Sequence, residues 1–275
     1  MQIVGSGLET YLYLNGISTK EEIILDKNVS LLPAICNPTP DDIIKVSGSE
    51  IDLGITTIFL RHVDSQLKIV ADNPKDLAII AWNSLWDALL LSAIFNCEVG
   101  FNFQCNHPAE LFSDKSEFKV TNYHMRGLVM DRYVISETGS DWLSNHFSNA
   151  CELLKNKKFE TAVHSMSTFR WHSLPRIQLA VLWSGIEALF NVESEISFRI
   201  SLYISKFLTD DNKVKAKEIF DEVRILYRSR STAVHGSKIK GDDNDQVKRS
   251  AKLLNDLIIR CITLNRLPQN DDLVF

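Results

Sequence analysis

The chain has 275 residues, 45% of them hydrophobic, which is enough for one large core or two modest ones; the usual size of a domain makes two the expectation. A formal charge of −5 excludes a protein that coats nucleic acid non-specifically, because that mode needs many phosphate contacts over a positive surface. Any nucleic-acid contact is therefore expected in a local patch.

The opening MQIVGSG lacks the charged start and apolar run of a secretory signal, so a cytoplasmic protein is expected. Ser6 between Gly5 and Gly7 is too short a signal for a phosphate loop, which needs a lysine and a preceding strand. Short β-like runs follow, punctuated by Gly, Pro, Asn and Asp, and predict strands over Glu22–Leu25, Ile55–His62, Gln66–Ala71, Val99–Gln104, Lys119–His124 and Leu128–Ile135. One strong helix is predicted from Pro74 to Phe95, where Asn73 caps, Pro74 suits the first turn and Asp76 favours the positive end of the dipole. Its apolar window from Leu77 carries Asn83 and Asp87 near the middle, and a central Asp costs a spanning helix about 2.5–3.5 kcal/mol. It reads as a buried helix, with no membrane partner.

From Asp141 onward the apolar residues recur at helical spacing, predicting helices over about 141–155, 158–170, 175–192, 195–208, 211–236 and 243–265. Pro175 opens the third; Ile196, Ile200, Tyr203, Ile204 and Phe207 make the apolar stripe of the fourth. Gly236, before a polar turn with Gly241, Asp242 and Asp243, closes the fifth by a left-handed cap. The fold class is α+β: a mixed N-terminal module over residues 1–140, read as a sensor or regulatory domain, then an all-helical bundle over 141–275. The boundary is set at the polar run Glu137-Thr138-Gly139-Ser140-Asp141.

Cys36, Cys97, Cys105, Cys151 and Cys261 are odd in number and scattered, unlike a disulfide framework, which fits a reducing compartment. Cys97, Cys105 and His107 lack a close Cys-x-x-Cys pair and a fourth ligand, so they read as packed thiols; neither metal nor cofactor is expected. Trp82, Trp86, Trp142, Trp171 and Trp183 sit in helical patterns and read as core.

The segment Val223 to Lys240 is the exception to the acidic balance. It holds Arg224, Arg228, Arg230, Lys238 and Lys240 and no acid, a formal charge of +5. Such a run is either a solvated helix face or an anion-binding patch. On a helix, Ile219, Val223, Leu226 and Val234 form an apolar stripe that also takes Arg230, while Arg224, Arg228, Ser231 and His235 line an adjacent face. An arginine aimed inward needs an acid, because an unpaired buried charge costs several kcal/mol. Glu187, inside the apolar run Val181 to Phe190, is the leading candidate.

Arg230 and His235, five positions apart, suit RNA cleavage. Arginine is a permanent cation that grips phosphate oxygens with parallel hydrogen bonds, and histidine changes protonation near neutral pH. RNA supplies its own nucleophile, the 2′-OH, so a cutter needs only to move protons and stabilise charge on the phosphoryl oxygens. The structural alternative is a histidine at the negative end of a helix and an arginine paired with an acid.

Three ordered segments over residues 175–240 resemble HEPN domains, and more closely their Apea-like branch: Trp-Ser-Gly-Ile-Glu-Ala-Leu-Phe, Ile-Ser-Phe-Arg-Ile-Ser, then Leu-Tyr-Arg-Ser-Arg-Ser-Thr-Ala-Val-His-Gly. The resemblance implies an all-helical domain that pairs as a homodimer and joins two Arg/His motifs in one cleft. Many members are metal-independent endoribonucleases of phage defence, toxin–antitoxin or CRISPR systems. Arg230 and His235 match the motif pair, Ser231 takes the polar position after the arginine, and Glu187 and Tyr227 fall at supporting positions. Other branches often carry Asn, His or Asp where this chain has Ser231. The expectation is a dimeric ribonuclease with RNA as substrate, room for an antitoxin or trigger protein as partner, and Arg224, Arg228, Lys238 and Lys240 as RNA contacts. The alternative is a catalytically quiet HEPN dimer that scaffolds RNA or protein.

Overall fold

The computed structural model describes residues 7–47, 50–120, 131–190, 196–209, 212–234 and 242–269. The chain divides into two units, residues 1–91 with 97–148, and residues 92–96 with 149–275.

The first unit is built on an antiparallel sheet of order β3-β4-β5-β1-β6-β7, made of β1 (Glu9–Asn15), β3 (Ile23–Asp26), β4 (Val29–Pro33), β5 (Ser65–Val70), β6 (Gly100–Cys105) and β7 (Phe118–Val120). A short parallel pair, β2 (Ile17–Ser18) and β8 (Tyr133–Val134), stands apart. β1 lies inside the sheet and is buried on both faces, Tyr11 and Tyr13 on one and Leu12 and Leu14 on the other. Such a strand shows no alternation of apolar and polar residues, and so the sequence pattern did not reveal it. Tyr11, Tyr13, Phe103 and Cys105 form a core with Ile43 of α1 (Pro40–Val46) and Phe59 and Leu60 of α2 (Glu50–Leu60). Thr39 and Asp42 close a capping box at the start of α1.

The run Ile55–His62, expected as a strand, is helical through Leu60 as the end of α2 and turns at Arg61 and His62. Its β-branched residues suggested a strand, but the buried positions Thr56, Phe59, Leu60 and Val63 recur at helical spacing. Burial against the sheet outweighs local preference, with Phe59 edge-on to Phe103 at 5.7 Å. Of the expected strand Lys119–His124, the first two residues end β7 and 121–124 lie outside the described residues; of Leu128–Ile135, residues 131–135 are described and carry the two-residue strand β8.

Helix α3 (Pro74–Phe95) follows the sequence reading, with Asn73 accepting from the Asp76 N–H at 3.0 Å. It is long and apolar enough to cross a membrane, with a mean hydropathy of 1.6 over its best window, half of which is buried in the protein. Trp82 departs from its expected core position and is 54% exposed. The polar run from Glu137, read as the domain boundary, is the start of α4 (Glu137–Leu153); the Ser136 hydroxyl accepts from the Gly139 N–H at 3.1 Å, which begins the helix earlier than the apolar pattern does.

The second unit is helical: α5 (Lys157–Thr168), α6 (Pro175–Phe190), α7 (Ile196–Thr209), α8 (Lys213–Val234) and α9 (Asp243–Leu264). Helix α6 packs against α5, α8 and α9, and α7 packs along α8. Val247, Ala251, Leu254, Ile258 and Cys261 bury one stripe of α9 at alternating spacings of four and three. Asp242 caps that helix through the Asn244 N–H, and Asn265 ends it in the left-handed region at φ 49°. Residues 92–96 belong to this unit because Asn255 donates to the Ala93 and Ile94 carbonyls at 2.7 and 2.8 Å, and Arg170 binds Asn96. An α+β chain results, with the sheet in the N-terminal part and a helical C-terminal part.

Candidate functional site on helices α6 and α8

Val223 and Leu226 bury the inner stripe of α8, and Arg230 continues it one turn later. The inward arginine finds the acid that its position demands. Arg230 Nη2 donates to Glu187 Oε2 at 2.9 Å, with side chains 25% and 29% exposed. Glu187 sits on α6 beside the buried Ile186 and Leu189. Burial pushes its carboxyl above the ordinary glutamate value, and the attraction of Arg230 offsets this only in part. Among the described residues Glu187 Oε1 and Arg230 Nε, both buried, have no hydrogen-bond partner.

Tyr227, one turn before Arg230, lies beneath it, the guanidinium carbon 5.7 Å from the ring centroid. Its phenol is raised by burial first and by Glu187 second, against the pull of Arg230. Behind Tyr227 stands Trp183, fully buried, with the two rings edge to face at 5.3 Å. The indole Nε1–H donates to Ser250 Oγ of α9 at 3.2 Å. A chain of contacts thus runs from the bundle interior to the cation: Ser250, Trp183, Tyr227, Arg230. Trp183 was legible only as core, since an apolar residue on a buried face carries no sign of what it supports.

The remaining expected residues divide in two. Ser231 lies half-buried on α8, Arg224 has its guanidinium 5.7 Å from the Phe220 ring centroid, and Arg228 is exposed. His235, Lys238 and Lys240 lie outside the described residues, as does the expected cap at Gly236. The structure therefore brings together Glu187, Tyr227 and Arg230. On the flank of α8 that meets α9, Glu222 takes two hydrogen bonds from Arg249, which also reaches Asp245 at 3.1 Å. Those bonds raise the Arg249 guanidinium further.

Chemically, the site is a fixed cation. A guanidinium has five N–H donors, of which Glu187 engages one, and the acid and the ring hold its plane while the outer part remains open to solvent. Such a preset donor group suits an anionic oxygen, with little reorganisation on binding. Among the described residues no group of three or more His, Cys, Asp or Glu is placed to hold a metal ion. No protein-family model, curated protein or solved structure matches the chain.

Proposed function

We propose that the chain is a metal-independent endoribonuclease of the HEPN type, acting as a homodimer and serving as a phage-defence or toxin effector in the cytoplasm. The single observation that carries this reading is the Glu187–Arg230–Tyr227 arrangement, because it presets a cation at the arginine position of the Arg230 and His235 motif.

In this reaction the 2′-oxygen attacks phosphorus and the bond to the 5′-oxygen breaks, leaving a 2′,3′-cyclic phosphate and a 5′-hydroxyl. One His235 takes the 2′-OH proton; the partner's His235 gives a proton to the departing oxygen. Arg230 stabilises the charge that builds on the non-bridging oxygens. Two copies of the motif across a twofold axis supply base and acid together, which one imidazole does not do in a single step.

One observation favours a second reading, a catalytically quiet HEPN dimer that scaffolds RNA or protein: Arg230 is already neutralised by Glu187 within its own chain. Induced expression of the unmodified, Arg230→Ala and His235→Ala chains in a bacterial host, with total RNA resolved for fragments, separates the two. Growth arrest and fragments that vanish in both variants support cleavage, with a loss of about 10²–10⁴-fold for the histidine variant. Fragments at equal rate from all three overturn it.

A further inference from the structure

Ten residues before Arg230 on α8, the helix meets α7 at an aromatic contact. Phe198 of α7 is 54% exposed and stands edge to face with Phe220 of α8 at 5.6 Å, an interplanar angle of 77°. The Arg224 guanidinium carbon lies 5.7 Å from the Phe220 centroid on the side continuing toward the motif. At 100° per residue, Lys213, Lys217, Phe220, Arg224, Arg228 and Ser231 share one face of α8, within about 80° of arc. Asp221 borders that face, while Glu218 and Glu222 turn away from it, Glu222 onto Arg249. An open aromatic ring, an arginine packed on a second ring and a row of cations along the same helix are the parts of a single-strand binding surface.

We propose that Phe198, Phe220 and Arg224 form a base-stacking platform that holds one unpaired nucleotide of an RNA strand while Lys217, Arg224 and Arg228 track its phosphates. The inference rests on the ribonuclease reading for the identity of the strand, and it adds a subsite that the motif residues do not contain. Phe220 precedes Arg230 by ten residues, about 15 Å along the helix axis, so the platform holds the strand a few nucleotides from the scissile linkage. The ring of Phe198 explains its own position: an apolar side chain this open gains little from folding, whereas a base stacked on it buries the same surface. A paired strand keeps its bases stacked inside the helix and offers none to the ring, so the platform selects single strands.

The test uses the full-length His235→Ala chain, in which binding is read apart from cutting, and a fluorescein-labelled oligoadenylate of about 12 nucleotides, alone or annealed to oligouridylate. Anisotropy titrations are run on this chain and on the same chain with Phe198→Ala or Arg224→Gln, after urea melts establish that the variants stay folded. The expected result is binding of the single strand weakened about tenfold by Phe198→Ala, with the Arg224→Gln variant also showing a shallower salt dependence. Unchanged affinity in Phe198→Ala, equal affinity for the annealed duplex, or displacement by polyglutamate as effective as by unlabelled RNA overturns the platform. The unmodified chain is assayed for cleavage in parallel. Cleavage with unaltered Phe198→Ala binding removes the platform and leaves the nuclease; platform-dependent binding without cleavage removes the nuclease and leaves the platform.

Discussion

Glu187 and Arg230, 43 residues apart in sequence, meet at 2.9 Å, and each retains one buried atom without a partner among the described residues. Those atoms, Oε1 and Nε, are the two that a second parallel hydrogen bond would join in a bidentate pair. The pair is therefore asymmetric in its consequences. Removing the acid strands a half-buried cation, whereas removing both charges strands nothing. Glu187→Ala is expected to lower stability by about 1–3 kcal/mol, less than the 3–5 of a fully buried pair because both groups keep some solvent. The double change Glu187→Leu with Arg230→Met should recover most of that loss. Urea unfolding of the three variants checks both statements; a double variant no better than the single would show that the cost lies in packing.

The raised Glu187 carboxyl gives this pair a pH signature. A carboxyl whose value is higher in the folded chain than in the unfolded one binds its proton more tightly when folded. Its contribution to stability is then greatest at low pH and is lost as pH rises from the ordinary value of 4.5 through the raised one. Glu187→Gln carries no such proton. The stability of the unmodified chain relative to Glu187→Gln should fall as pH rises through that window, read as the difference in urea midpoints between pH 4 and pH 7. A difference that grows with pH would mean that Arg230, and not burial, dominates.

Gly185 marks the crossing that brings α6 to its neighbours. A Cβ there would meet Ser165 Cβ at 2.8 Å, Leu254 Cδ2 at 3.0 Å and the Ala162 Cα at 3.2 Å. Alanine is better by about 1 kcal/mol in an exposed helix interior, but here overpacking of about 1–3 kcal/mol opposes that gain. Gly185→Ala should therefore lower the thermal midpoint, and Ser165→Gly in the same chain should restore part of it by removing the nearest atom.

How much of this was written in the sequence depends on which interactions set each element. Helices α5, α7 and α9 follow their apolar spacing, and the expected and observed limits agree closely, 243–265 against Asp243–Leu264, for instance; the expected ends of α6 at 192 and α8 at 236 fall outside the described residues. The Arg230–Glu187 pair was legible too, because a cation on an apolar stripe requires an acid. What failed were the places where tertiary burial decides. β1 has no alternation because both of its faces are buried, and α2 carries strand-like residues that only the core turns into a helix. Helix α1 was missed although Thr39-Pro40-Asp41-Asp42 spells a cap. The Phe198–Phe220 contact depends on the register between α7 and α8, which the spacing within either helix does not contain.

Trp183 links the buried interior to the candidate site, so its replacement separates stability from function. Trp183→Phe removes the Nε1–H bond to Ser250, leaving a fully buried hydroxyl without that donor, and thins the ring that Tyr227 abuts. The expected cost is about 2–4 kcal/mol, combining the stranded hydroxyl with lost packing. Ser250→Ala strands the indole N–H instead, at about 1–2 kcal/mol, and the double variant should cost less than the sum because the two losses share one bond. On the proposed ribonuclease reading, if Tyr227 holds the Arg230 plane through this chain of rings, Trp183→Phe also slows the proposed RNA cleavage at temperatures where it remains folded, whereas Ser250→Ala, which leaves the Trp183–Tyr227 contact in place, does not. Equal slowing by both would trace the effect to general loosening of the bundle, and no slowing by either would show that Arg230 keeps its position through Glu187 alone.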